Sequence, residues 1–251
     1  MDPGQNREQR TDAAWKSYIF CLPQGTMKFL INAMIDNLPT RCNLKKWGKS
    51  ITDLCRLCKA RPESLAHITS GCKVALEEKR YDYRHDSVLA YVASCLDSKK
   101  FEFAVDVDGW KLPCGGTVPP KLTVTTKRPD ICIVDSARKR VYIGELTCGN
   151  ERNIERNNGY KMQKYTNFLT DIRGMSVTLE PFEIGASTGL VTERNKGTLK
   201  NIHKFVRPDI SYKLFEKNIT AITVLSTYHI YSARERTDWQ APGLVGPPFK
   251  H

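Results

Sequence analysis

At 251 residues the chain suits one domain of moderate size or two small ones, and its 40% hydrophobic and 9% aromatic content excludes a disordered chain. Lys and Arg number 39 against 27 Asp and Glu, and the net charge of +12 suits a polyanionic partner, although a solvated basic surface has the same composition. No stretch is long and apolar enough to cross a bilayer, so no membrane partner is expected. The N-terminus lacks an apolar leader, and nine cysteines then imply a reducing, intracellular compartment rather than a disulfide scaffold.

Residues 1–12 are polar and read as disordered. Trp15 to Cys21 is apolar and reads as a short strand or docking segment. Gly25 opens a helix predicted to reach Leu38, where Pro39 ends it; Phe29, Leu30, Ala33 and Met34 recur at helical spacing. Residues 40–50 are polar and basic.

Residues 55–72 carry Cys55, Cys58, His67 and Cys72 in the spacing Cys-x2-Cys-x8-His-x4-Cys. Two cysteines two apart grip one tetrahedral ion from a tight turn, and His67 and Cys72 close the site from a short helix. Four protein ligands leave no open position, so the predicted zinc is structural. A charged helix follows over residues 73–80. Asp86 then caps a second helix with Val88, Leu89, Val92 and Leu96 inward. On that reading Arg84 and His85 are solvated neighbours of the cap.

Phe101 to Val107 alternates and predicts a strand. Residues 110–127, rich in Pro, Gly and Thr, predict a long loop with one short strand near Thr123–Thr126. Ile131–Val134 and Val141–Ile143 flank a polar turn and predict a hairpin, with Asp130 before the first run and Glu145 ending the second. A helix is predicted from about Asn153, carrying Lys161 and Lys164. Ser176 to Ile184 predicts a further strand, with Pro181 marking an edge or a bulge. Lys196, Lys200, Lys204 and Arg207 form a cationic stripe opposite Leu199, Ile202 and Val206, which reads as a solvated face or a phosphate-binding one. Ile210–Arg234 predicts a long last helix, and the Pro-containing tail from Thr237 a loose end.

A hairpin can bring two carboxylates to one end of adjacent strands. Held close, they repel unless a cation lies between them. Two acids, a cation and a lysine are the parts of metal-assisted phosphodiester hydrolysis. On a helix counted from Ile154, Tyr165, Phe168 and Ile172 share the sheet-facing side. Lys161 falls inside that stripe and Lys164 at its flank. A lysine aimed at a core needs an anionic partner, which favours Lys161 as the active-site lysine over Lys164.

The ordered set resembles the PD-(D/E)xK nucleases, above all the restriction-like endonuclease of site-specific non-LTR retrotransposons. Arg128-Pro129-Asp130, Glu145-Leu146-Thr147 and Lys161 with Lys164-Tyr165 carry the match. Arg84-His85-Asp86 is similar to the family's RHD/N element, and Cys55, Cys58, His67 and Cys72 to its zinc knuckle. Thr147 stands where the superfamily usually has lysine, so the lysine would come from the helix. The resemblance implies a mixed α/β fold: an αβββαβ core (81–190) after a connector (1–50) and knuckle (51–80), then basic and C-terminal helices (191–236) and a flexible tail (237–251). It implies a nuclear DNA endonuclease in which Asp130 and Glu145 hold Mg²⁺ and Arg84, His85 and Asp86 assist. Its nick in double-stranded DNA would prime reverse transcription of element RNA by an upstream polymerase. A non-catalytic nucleic-acid-binding module and a resolvase-like nuclease on branched DNA are the alternatives.

Overall fold

The computed structural model describes residues 19–153, 159–165, 172 and 174–250. The predictions for residues 1–12 and Trp15, and the sheet-facing places of Ile154 and Phe168, lie outside them. Four strands form one mixed sheet in the order β1 (Glu102–Val105), β2 (Ile131–Asp135), β3 (Arg140–Gly149), β4 (Ser176–Gly185). The β-branched runs 131–134 and 141–143 pair as the predicted antiparallel hairpin, with Ile131 opposite Gly144 and Asp135 opposite Arg140. β4 lies parallel to β3 at the sheet edge, where Pro181 is tolerated.

Side chains alternate across the sheet, so each face buries its own set. Ile131, Ile133, Tyr142, Leu146, Phe182 and Ile184 share a core with helices α5 (Arg80–Cys95), α6 (Glu193–His203) and α7 (Tyr212–Ser232). Cys132, Val134, Val141 and Ile143 pack on the other face with Val118, Tyr165 and Ile172. Tyr165 belongs to a helical segment, residues 159–165. The fold is thus mixed α/β, with helices on both faces of the sheet.

α7 is the central helix, and Phe215, Ile219, Ile222 and Val224 are fully buried. So are Thr223 and Ser226, whose hydroxyls donate to the carbonyls of Ile219 (2.9 Å) and Ile222 (2.6 Å). Each of these two hydroxyls is satisfied within its own helix, so burial leaves neither of them open.

The N-terminal elements are α1 (Gln24–Met34), α2 (Arg41–Lys46), α3 (Leu65–Ser70) and α4 (Lys73–Glu77). α1 stops short of Leu38: Asp36 turns left-handed (φ 50°), and the Asn43 amide donates to the Asp36 and Leu38 carbonyls. Ile19, Phe29, Leu30, Leu65 and Ile68 form one core with Ala221, Val224 and Tyr231 of α7. The boundary expected at residue 50 therefore has no counterpart in packing. Buried Glu63 bridges it, accepting from the backbone N–H groups of Arg41 (3.0 Å) and Arg56 (2.8 Å).

Three further expectations are corrected. No strand forms at 123–126, where Val124 is 93% exposed. α5 begins at Arg80, after Lys79 turns left-handed, so Arg84-His85-Asp86 lies one turn inside the helix rather than at its cap. The tail is docked, not loose. Phe249 exchanges two hydrogen bonds with the Asn218 amide, and the Val245 N–H donates to Ser87 Oγ at 3.1 Å. Its prolines remove backbone donors, and side chains of α5 and α7 satisfy two of those that remain.

Candidate metal centre and carboxylate site

The chain turns tightly after Cys55. The Cys55 N–H donates to the Arg61 carbonyl (2.7 Å), Leu54 bridges to Pro62, and Lys59 adopts φ 55°. Ser64 caps α3, which presents His67, and Cys72 joins α3 to α4. The ligand atoms of Cys55, Cys58, His67 and Cys72 all lie within 4.8 Å of one another. Metal–ligand bonds of about 2.0–2.3 Å in a tetrahedron require separations of this order, so the donor set fits zinc. Burial pushes the Cys58 thiol up, but the N–H groups of Ala60 and Arg61 outweigh it and bring it down, which favours the thiolate a metal needs.

β3 pairs with β2 only as far as Gly144 and continues over residues 145–149 beside β4 alone. The notch so formed receives Asp130 and Glu145. They are cross-tied: the Leu146 N–H donates to Asp130 Oδ2 (2.7 Å), and the Asp130 N–H donates to Glu145 Oε1 (3.2 Å). Lys161 enters from the helical segment. Its ammonium lies 2.7 Å from Glu145 Oε2, 2.9 Å from the Leu146 carbonyl and 3.6 Å from Asp130 Oδ2. From the opposite face, His85 Nε2 approaches Asp130 Oδ2 (3.3 Å) while its Nδ1 meets Asp86 Oδ1 (3.1 Å).

Four charges therefore share one small, water-poor volume. Glu145 is 1% exposed and Asp130 9%. Burial alone would raise the Asp130 carboxyl; the hydrogen bond and charge of His85, the charge of Lys161 and the Leu146 N–H outweigh it and lower it. Burial alone would lower Lys161, and the two carboxylates raise it instead. His85 is likewise pushed down by burial, yet Asp130 and Asp86 bring it up to about 9, so it carries charge at neutral pH.

Of the residues singled out from sequence, Asp130, Glu145, Lys161 and His85 converge, and Asp86 adjoins them through His85. Lys164 does not: it is exposed, and its ammonium lies over the Tyr165 ring at 4.7 Å. Arg84 faces away and is buried, not solvated. It donates to the carbonyls of Thr69 on α3 (2.9 Å) and Cys148 on β3 (2.7 Å), and to Thr227 Oγ1 on α7 (3.2 Å). Arg84→Ala should cost about 3–5 kcal/mol, because it leaves buried acceptors without a donor. Urea denaturation measures it, and an unchanged midpoint would refute the tie. Lys200 on α6 is exposed, as are Lys204, its C-cap, and Arg207 beyond it. Lys196 is half-buried and bonded to Glu193 at 2.6 Å. Tyr165 was missed as a site residue: its buried phenol donates to the Arg128 carbonyl (3.3 Å), and its pKa is raised by burial and by a hydrogen bond to Glu145. Its place four residues after Lys161 on the same helical face was the available signal.

No curated protein matches the chain. The family model described as zinc-binding in reverse transcriptase matches residues 1–77, which hold all four cysteine and histidine ligands. Residues 1–77 are thus similar to the zinc-binding domain found with reverse transcriptases, and the Cys55–Cys58–His67–Cys72 cluster supplies the ligands for zinc.

Proposed function

We propose that the chain is a divalent-metal-dependent DNA endonuclease whose zinc-binding region braces a hydrolytic site at Asp130, Glu145 and Lys161. The observation that carries this reading is the convergence of Glu145 Oε2, the Leu146 carbonyl and Asp130 Oδ2 on one cation, the Lys161 ammonium. Two carboxylates and a carbonyl are a hard-oxygen donor set, and a site that already holds a positive charge fits Mg²⁺. Asp130, Glu145 and the Leu146 carbonyl would hold the ion. When bound, it polarises a phosphoryl oxygen and lowers the pKa of the attacking water.

Protein groups do the rest. The charged His85 holds Asp130 in its ionised, oriented form. Lys161, released from the carboxylates, orients the water or stabilises charge developing on the phosphate. Lys164, Lys200, Lys204 and Arg207 are placed on the surface to contact phosphates. The match of residues 1–77 to a reverse-transcriptase zinc-binding domain supports an association with reverse transcription; on this reading the nick primes that reaction in the nucleus, with element RNA and a polymerase as partners.

Plasmid nicking with Mg²⁺ and with EDTA tests the reading; binding without Mg²⁺-dependent cleavage would leave a nucleic-acid-binding module instead. Lys161→Ala should slow nicking about 100-fold or more, the scale of one lost charge donor, with DNA affinity unchanged. Lys164→Ala should mainly weaken binding and its salt dependence. The opposite pattern would reverse the two roles.

A further inference from the structure

A cavity of about 500 Å³ opens at the turn end of the β2–β3 hairpin, beneath the C-terminal end of α6. It is distinct from the carboxylate site. Arg140 at its mouth is five residues from Glu145 along β3, about 16 Å, and lies on the opposite face of the sheet. Its floor is a closed polar network. The Tyr142 hydroxyl donates to Glu180 Oε2 (3.0 Å), the Asn201 amide to Glu180 Oε1 (2.7 Å), and Lys204 to Asn201 Oδ1 (2.6 Å). Phe205 makes the wall, with Phe101 edge-on at 5.1 Å and Tyr142 tilted against it at 5.3 Å.

The charges divide in a particular way. The two acids in the lining are already engaged, Asp135 by Arg138 (3.0 Å) and Glu180 by its two donors. The Arg140 guanidinium and the Lys204 ammonium are on exposed side chains at the mouth. Lys200 lies one turn back along α6, about 6 Å on the helix axis, a step close to that between successive phosphates of an extended strand.

We propose that this cavity receives an unpaired nucleotide of a single nucleic-acid strand, with its base against Phe205 and the Tyr142–Glu180–Asn201 floor. Arg140 and Lys204 hold its phosphate, and Lys200 the next one. Volumes of 300–1,000 Å³ are typical of sites for one small molecule, and a single nucleotide is of that size. Aromatic walls with cationic rims are the common means of holding single strands. The proposal rests on the nucleic-acid partner proposed above but not on hydrolysis.

Fluorescence anisotropy with labelled oligothymidine, oligouridine and a blunt duplex tests it on the full chain. Arg140→Glu and Thr178→Glu alter exposed positions in the lining, so the fold is retained, and the thermal midpoint checks this. Both should weaken single-strand binding about tenfold or more and duplex binding much less. Tighter binding of oligouridine would assign RNA as the source of the strand, and tighter binding of oligothymidine DNA; either supports the site. Unchanged single-strand affinity in both variants, or a duplex that competes as well as the single strand, overturns it. The outcome is independent of nicking: a wild-type protein that binds single strands through Arg140 and never cleaves refutes the nuclease and leaves this site standing.

Discussion

Replacing Cys58 with serine, or removing the metal with a strong chelator, should lower the thermal midpoint by roughly 8–16 °C. That corresponds to about 4 kcal/mol in a chain of this size. The region around the cluster has little else to hold it. Its own apolar core is Cys55, Cys72 and Ala75, with Leu57, Val74 and Tyr81 against them. Metal binding must therefore supply most of its folding free energy. The loss would spread, because Leu65 and Ile68 of α3 belong to the core that covers α7. Burial pushes the Cys55 thiol up to about 12, so without metal it is protonated at neutral pH. Zinc uptake then releases protons, and affinity should rise with pH. A wild-type protein that purifies without zinc, or a chelated one with an unchanged midpoint, would refute the reading of residues 55–72.

Asp130→Asn should reduce nicking at least about 1000-fold, or some 4 kcal/mol of barrier. The amide keeps an acceptor for the Leu146 N–H, so local shape survives, but the charge is lost. Lys161 and His85 would then share one fewer anion, and the pKa of His85 should fall from about 9 as its strongest partner disappears. Titration of the His85 ring by NMR gives a readout that a merely misfolded variant would not reproduce. Duplex affinity should stay near wild type, since phosphate contacts dominate it. Ordinary cleavage by Asp130→Asn would remove Asp130 from the site.

What could be seen in the chain depended on how local its cause was. The hairpin was legible because two β-branched runs flank a polar turn, and the placement of Lys161 followed from helical phase alone. The zinc ligands were legible because their spacing is the geometry. Arg84 was not. Its three acceptors come from α3, β3 and α7, and one arginine before a helical turn looks the same whether solvated or buried. The depth of α7 was not legible either, because Thr220, Thr223, Ser226 and Thr227 are polar residue types, although all four are buried. The docked tail was unreadable for a related reason: what holds it is Asn218 and Ser87, on helices far away in sequence.

The reach of Arg84 also decides where the chain can be divided. One guanidinium holds Thr69 from the zinc-binding region and Cys148 from the strand that carries Glu145. A fragment begun at residue 78 would therefore keep every sheet strand yet lose one of the anchors that fix β3 beyond Glu145. It would also bare the Ala221–Val224 surface of α7 to water. Grafting a different zinc-binding region onto this sheet would need a replacement for that anchor and a cover of matching shape. The two regions can be exchanged only together.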